Sequence, residues 1–519
     1  METDKRRGSP DDGKGHGDAG AVGSPGSCRP EQPKDPCIIV ILGASGDLTS
    51  RKLIPALYNL YRKDGLPETF RVVGCGRTPL SDEAFREKLA PEEDPSAWND
   101  FSRNLHYVEL SYDSAESYHM LADRLENLDR AAGTGGNRIF YLAIPMFLYT
   151  AAVELLGASG LAGTKGGGGW TRLVVEKPYG SDGKSAAELD EAIHRNFDEK
   201  QIFRIDHYLA KETVQNILTL RFANAVFEPL WNRNFIRHVD IQAVETLGVG
   251  KRASYYEKAG VLRDMFQNHM LQLLALTAME SPNRFDSTAV HDEKIKVFRS
   301  LRPFPVDNLF ENLILGQYGP GVVDGSPVRG YREEEGVSPS SLTPTFGLMR
   351  VFIDNWRWKG VPFFLSSGKR LASKLTRISV TFKDVPVTMF GNALEKTLSP
   401  NVLTIGIQPR EHITLSFQTK SPGSKMCLRR SEMTFDFKKG YSGPSLTAYE
   451  KALIDCLKGD KMLFWHRDGI DLAWSFIDPV LARCEACGEK DRLVPIYQAG
   501  SSGPASAKKL REWMSEQCR

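Results

Sequence analysis

The stretch Arg204-Ile205-Asp206-His207-Tyr208-Leu209-Ala210-Lys211-Glu212 gathers a carboxylate, an imidazole, a phenol and an ammonium within six residues. It falls where one local structure gives way to another. Residues 201–205 alternate like a strand, and residues 211–227 place Val214, Ile217, Leu218 and Phe222 on one side of a helix. Donors at such a junction can hold an anion, because the first N–H groups of a helix have no partner within it. His207, Tyr208 and Lys211 then suit a phosphate, which leaves Asp206 for other work. The same residues would also serve a plain helix start with a solvated lysine. A second titratable pair lies in Arg263-Asp264-Met265-Phe266-Gln267-Asn268-His269, on an expected helix 261–280. There His269 shares an apolar stripe with Leu262, Met265, Phe266 and Leu273. An imidazole on such a face is commonly a satisfied core residue. Burial is also what a general base needs, since it excludes water and lets a carboxylate set the tautomer.

The elements that must position these groups follow from the apolar pattern. Residues 37–42 are continuously apolar, as in a parallel strand buried on both faces. Gly43-Ala44-Ser45-Gly46-Asp47-Leu48 follows, then a helix to about residue 62. Strands at 70–73, 138–143 and 171–175 alternate with helices near 114–128 and 147–156. This order predicts an α/β Rossmann-type doubly wound domain. Beyond residue 206, long helices mix with strands at 238–246, 346–353, 378–382, 402–408 and 413–419. Strands in direct succession predict a larger α+β domain with a mostly antiparallel sheet. Residues 157–169 and 319–344 read as loops. The expected division is a disordered tail over 1–36, a dinucleotide-binding domain over 37–205, and a substrate-binding and dimerisation domain over 206–519.

The first strand–turn–helix can face a pyrophosphate, although Ser45 replaces the usual second glycine of the dinucleotide fingerprint. An NAD site wants an acid after the second strand. Here that strand runs into Gly74-Cys75-Gly76-Arg77, so Arg77 with Ser45 favours the 2′-phosphate of NADP. Lys177, in Glu176-Lys177-Pro178-Tyr179-Gly180, sits in an abrupt turn after a buried strand. The formal charge of +2, from 67 basic and 65 acidic residues, implies no bulk field for nucleic acid or membrane, so any anion site is local. Eight scattered cysteines do not form a disulfide framework. Cys484-Glu485-Ala486-Cys487 has no second pair to complete a zinc site, and no metal is expected. The tail resembles neither a signal nor a transit peptide, and a soluble cytoplasmic protein is expected.

These blocks resemble the glucose-6-phosphate dehydrogenase family, whose signature reads Arg-Ile-Asp-His-Tyr-Leu-Gly-Lys-Glu; Ala210 stands where the family has glycine. The resemblance extends over about 37–500, through Gly-Ala-Ser-Gly-Asp-Leu, Glu-Lys-Pro, Arg-Asp-x-x-Gln-Asn-His and Arg357-Trp358-Lys359-Gly360-Val361-Pro362-Phe363 with Gly368-Lys369. It implies oxidation of glucose 6-phosphate to the 6-phospho-1,5-lactone with NADP, the first step of the oxidative pentose phosphate pathway. By resemblance, His269 is the proton acceptor and Asp206 orients it. Lys177, His207, Tyr208, Lys211, Glu245, Asp264, Lys369, Lys374 and Gln408 then hold the substrate. Gly43, Ala44, Ser45, Gly46, Asp47, Leu48, Arg77, Tyr149 and Lys177 meet the cofactor, and the Lys177–Pro178 bond is cis. A homodimer or homotetramer through the large sheet is implied. A second, structural NADP is expected to be absent or weak, because Ser366, Leu375 and Gly406 replace basic residues. Two rivals stand beside this reading: a dehydrogenase of an unphosphorylated sugar, and a non-catalytic NADP-binding sensor of the same fold.

Overall fold

The computed structural model describes residues 32–91, 95–163, 168–387, 389–390, 398–423, 427–437, 446–488, 490–507 and 509–510. The expected tail up to residue 31, part of the glycine-rich loop at 164–167 and the chain end from 511 lie outside those residues.

Every residue of β1 (Cys37–Leu42) is buried, as a strand covered by helices on both faces must be. It lies within a parallel sheet with β2 (Phe70–Gly76), β3 (Leu105–Glu109), β4 (Arg138–Leu142), β5 (Thr171–Val175) and β6 (Ile202–Arg204), in the order β3-β2-β1-β4-β5-β6. The strand order reverses between β1 and β4, so their carboxyl ends open the crevice where such sheets take ligands. β6 ends at Arg204, two residues before Asp206. The buried Arg204 guanidinium is fixed there by Asp190 Oδ1 and Glu199 Oε1, each at 2.7 Å.

The second sheet has the order β15-β14-β13-β12-β7-β11-β10-β8-β16, with β9 (Ser326–Val328) paired to β8. Its strands are β7 (Ile236–Val244), β8 (Leu313–Val323), β10 (Phe346–Phe352), β11 (Pro362–Gly368), β12 (Leu375–Phe382), β13 (Val402–Gln408), β14 (His412–Lys420), β15 (Leu428–Asp436) and β16 (Ile496–Ala499). The pairs β7–β11 and β8–β16 are parallel and the other pairs antiparallel.

Three expectations need correction. Residues 319–328 are not loop: β8 and β9 form a hairpin around Asp324 and Gly325, at φ 50° and 77°. Asp-Gly is a favoured pair for such turns. The helix expected over 211–227 stops at Phe222, because the Asn224 amide takes the Thr219 and Leu220 carbonyls at 3.3 and 3.1 Å. The helix expected over 261–280 is π-wound over Leu262–Met270 and α-helical over Leu271–Ala278.

The chain also crosses back over the expected boundary at 205/206. The helix Ala448–Lys458 buries Ala452, Leu453 and Cys456 in one core cluster with Leu57 and Leu60 of the first helix. Its Glu450 accepts Asn59 Nδ2 at 3.1 Å and Lys63 Nζ at 3.0 Å, and Arg172 donates to the Cys456 and Leu457 carbonyls. Among the described residues no helix is long and apolar enough to cross a membrane. Glu450→Ala leaves two donors without their acceptor, so we expect a loss of about 1–3 kcal/mol in stability. Urea unfolding followed by tryptophan fluorescence measures it; an unchanged midpoint would show that this clasp carries no stability.

Candidate active site

Asp206 follows the last strand of the parallel sheet, and His269 comes from the π-wound segment behind the large sheet. Their side chains meet at 2.5 Å, Asp206 Oδ1 to His269 Nδ1, with the residues 3 % and 1 % exposed. Asp206 Oδ1 also accepts the Tyr208 N–H at 2.9 Å. Lys177 Nζ lies 3.0 Å from His269 Nε2 and 3.2 Å from Asp264 Oδ1. The Lys177–Pro178 bond is cis, as the resemblance implies.

The tautomer follows from these partners. An ammonium can only donate, so Nε2 of His269 must accept, and the ring proton sits on Nδ1 facing Asp206. Burial pushes the His269 pKa below its usual value against the pull of Asp206, so the ring is neutral at neutral pH. Burial also opposes charge on Asp206, but the bonds it accepts from His269 Nδ1–H and the Tyr208 N–H hold its carboxyl well below the usual range. The arrangement is a buried base whose lone pair is held by an exchangeable lysine donor, with a carboxylate to stabilise its cation.

π-winding makes this possible. Positions five apart stand about 140° from each other on an α-helix. In a π-helix the hydrogen bonds join residues five apart, and such positions nearly eclipse. Asp264 and His269 therefore share a side, and one lysine reaches both. A 3.6-residue periodicity separates them.

A cleft of about 530 Å³ opens beside the dyad. It is lined by His207, Tyr208, Lys211, Glu245, Lys374 and Gln408, all expected. The Tyr208 ring stacks on His269 at 4.2 Å, and Lys211 Nζ lies over the other ring partner of that stack, Tyr208, at 3.9 Å. Lys369 Nζ pairs with Glu245 Oε2 at 2.9 Å at the same end. Burial, with the nearby Lys177 and Lys211 ammonium groups, holds His207 well below its usual pKa, so it offers a hydrogen bond and not a charge. The positive charge comes from lysines and from Arg51 and Lys52, which also line the cleft. That basic pair was legible as the first helical turn after the glycine loop but was not singled out. Tyr449, another wall residue, carried no sequence signal, and Glu176, on which the Tyr141 and Tyr449 hydroxyls converge, was legible only as part of the Glu-Lys-Pro block.

At the crevice, Gly43 has φ 101°, and a Cβ there would fall on the Ala143 carbonyl. Its N–H and that of Ala44 bond the Cys75 carbonyl at 2.9 Å, and Thr49 Oγ1 bonds the Gly43 carbonyl at 3.0 Å. Ser45 and Asp47 are exposed at the loop, Gly46 and Leu48 half-buried, and Arg77 stands exposed just past β2. A tight glycine turn at the reversal point, running into a helix, fits a dinucleotide. Tyr149 is placed differently. It is 2 % exposed, with its hydroxyl 3.4 Å from the Leu142 and Glu176 carbonyls, beneath the crevice and not in its wall. Asp206, His207 and His269 offer metal-ligand atoms within 4.8 Å of one another. Both His269 nitrogens are engaged, one by an ammonium, and that donor set does not suit a cation.

The family model "Glucose-6-phosphate dehydrogenase, NAD binding domain" matches residues 40–216, and "Glucose-6-phosphate dehydrogenase, C-terminal domain" matches 218–518. The chain belongs to the glucose-6-phosphate dehydrogenase family. It is 46% identical over 481 residues to a glucose-6-phosphate 1-dehydrogenase of Aggregatibacter actinomycetemcomitans, covering 91% of this chain and 95% of that protein. It is 42% identical to that of Bacillus subtilis, covering 92% and 97%. A solved glucose-6-phosphate dehydrogenase in complex with its substrate glucose-6-phosphate superposes with a TM-score of 0.85 at 34% identity, covering 94% of this chain and 99% of that one. The departure from the family signature at Ala210 is a buried residue outside the left-handed region, so its Cβ imposes no backbone strain. Ser366 is buried within β11, and a Cβ at Gly406 would fall on the His412 ring.

Burial lowers the Lys211 pKa from its usual 10.5 to about 8. Its charge is present below that value and lost above it. Inorganic phosphate measured by calorimetry should therefore bind more weakly as pH rises through about 8. Lys211→Arg should flatten that dependence, since a guanidinium keeps its charge; an identical pH profile in this variant would remove Lys211 from the anion site.

Proposed function

We propose that the protein oxidises C1 of the pyranose form of D-glucose 6-phosphate to 6-phospho-D-glucono-1,5-lactone with NADP, the first step of the oxidative pentose phosphate pathway. One observation carries this reading: His269 Nδ1 lies 2.5 Å from the Asp206 carboxylate and its Nε2 3.0 Å from Lys177 Nζ, beside a basic cleft. Bound nicotinamide supplies the hydride acceptor. His269 Nε2 takes the proton of the C1 hydroxyl while C1–H departs with its electron pair, leaving the lactone carbonyl. Asp206 holds the ring and stabilises the imidazolium. Lys177 yields Nε2 to the sugar hydroxyl and, with Lys369, positions the ring. Asp264 and Glu245 accept sugar hydroxyls. His207, Tyr208 and Lys211, with Lys374 and Gln408 nearby, hold the phosphate end by charge-assisted bonds. Residues 43–48 hold the dinucleotide and Arg77 its 2′-phosphate. The glycine turn at the strand reversal and the absence of an acid at the β2 tip support these assignments. A cytoplasmic setting agrees with six described cysteines that are all free.

We assign the oligomer interface to the outer part of the large sheet, where Met433 and Phe435 of β15 are 63 % and 53 % exposed. Met433→Arg with Phe435→Arg should halve the mass found by sedimentation; an unaltered mass would move the interface elsewhere.

Initial rates at the reduced-nicotinamide absorbance band test the reaction. We expect reduction with glucose 6-phosphate and NADP well above that with NAD, and little with free glucose. Arg77→Ala should erode the preference for NADP. His269→Asn should lower kcat by about 10²–10⁴-fold, with substrate still bound; near-normal turnover would overturn the base assignment.

A further inference from the structure

Lys294 is a buried cation that the reaction above does not use. It lies on the helix Ser287–Arg299, whose inner side meets residues 464–466. His291 Nε2 bonds the Phe464 carbonyl at 3.1 Å, and the Phe298 ring stacks on Trp465 at 5.8 Å and 12°. Lys294, three residues after one contact and four before the other, shares that side of the helix. The Trp465 N–H in turn bonds the Arg204 carbonyl at 3.0 Å, two residues before Asp206. The helix thus carries a buried lysine, 3 % exposed, on the side that packs against the segment bonded to Arg204.

Two unmatched groups meet there. A buried ammonium is costly without a partner, yet among the described residues Lys294 has no hydrogen bond or ion pair. Asp206 is the charge that acts on it. On the other side, Asp206 Oδ1 carries both the His269 and Tyr208 bonds, while Oδ2 is buried with no hydrogen-bond partner among the described residues. A cavity of about 20 Å³ lined by Arg204, Asp206, His269 and Trp465 adjoins the carboxylate, and Lys294 is not in its wall. The other charged or titratable groups facing the dyad are Lys177, His207, Asp264 and Lys211. Arg204 is already bound to Asp190 and Glu199, and His291 is the other titratable group acting with Lys294.

We propose that Lys294 is a positioning residue of the proton-accepting pair: its ammonium is the counter-charge of Asp206, acting on the carboxylate across the packed interior without a direct bond, and so keeping Oδ1 turned to His269. The inference rests on Asp206 and His269 being that pair. It explains why a buried carboxylate stays ionised beside a neutral imidazole. It also places a second cation, besides Lys177, within range of His269, where it opposes formation of the imidazolium.

Lys294→Met keeps the chain's bulk and removes its charge. Loss of a nearby cation raises the His269 pKa, so the acidic limb of kcat, read with C1-deuterated substrate to isolate hydride transfer, should move up by about one pH unit. The KM for glucose 6-phosphate and the affinity for NADP should change less than about twofold. Lys294→Arg should return the limb toward its original position. A purely structural lysine would lower kcat at every pH without moving the limb, and that result overturns the proposal. If the methionine variant does not fold, the lysine ¹³Cε resonances of the native protein and of Asp206→Asn decide it: the Lys294 pKa should fall when its counter-charge is removed, and an unmoved titration overturns the proposal. His269→Asn separates the two layers. If it abolishes turnover while the limb stays fixed in Lys294→Met, the role of Lys294 alone fails; if it spares turnover, the pair and this inference fail together.

Discussion

The 2.5 Å bond between Asp206 and His269 joins two sheets that are otherwise built separately. Asp206 hangs from the end of the parallel sheet, and His269 from a helix packed on the mixed one. Neither layer holds a complete site. Much of the surrounding structure serves to keep the two ends in register. Arg204 is locked by two carboxylates and by the Trp465 backbone, while the helix Ala448–Lys458 clasps the first sheet from the far end of the chain. A shift of one ångström between the layers would break a bond whose directional strength depends on its shortness.

That bond is also an electrostatic problem. Burial opposes every charge in the cluster, and a lone buried ion is unstable. Lys177 and Asp264 answer each other at 3.2 Å. His207 and His269 escape by remaining neutral. Asp206 stays ionised with no cation in direct contact, so a buried ammonium such as that of Lys294 bears on its state. The π-winding belongs to the same problem. It sets Asp264 and His269 on one side, so that a single lysine satisfies both without introducing another charge.

Most of the parallel sheet was readable because its strands are rich in apolar residues and alternate with helices, while β3, with His106 and Glu109 in five residues, was not among the expected strands. The dyad was readable as two separate polar islands in apolar surroundings, and the family resemblance joined them. Other features left no local trace. The π-turns of Leu262–Met270 have no distinctive composition, since whether five or four residues close a turn is decided by what the segment packs against. Tyr449 and Glu450 reach the site from the far side of the chain through tertiary packing alone. The hairpin at Asp324-Gly325 did carry its turn signal, but the surrounding glycine, proline and serine content hid it. Tyr149 is buried, its hydroxyl 3.4 Å from the Leu142 and Glu176 carbonyls, a placement that its family position alone did not reveal.

The pairing of the site's polar groups bears on how substrate enters. These groups do not wait bare. Lys177 rests on Nε2 of His269 and on Asp264, Lys369 on Glu245, and Lys211 on the face of the Tyr208 ring. Each of these contacts is one that a phosphosugar can take over, a hydroxyl at Nε2 and at the carboxylates, a phosphate at Lys211. Binding is then an exchange of partners within a fixed frame. The donors and acceptors are already held near their working positions, so little reorganisation remains for the transition state. The exchange is ordered by charge. Phosphate neutralises the cations at the cleft end, and displacement of Lys177 from Nε2 removes the donor that occupies the base. The base is therefore uncovered by the same molecule that brings the proton to it.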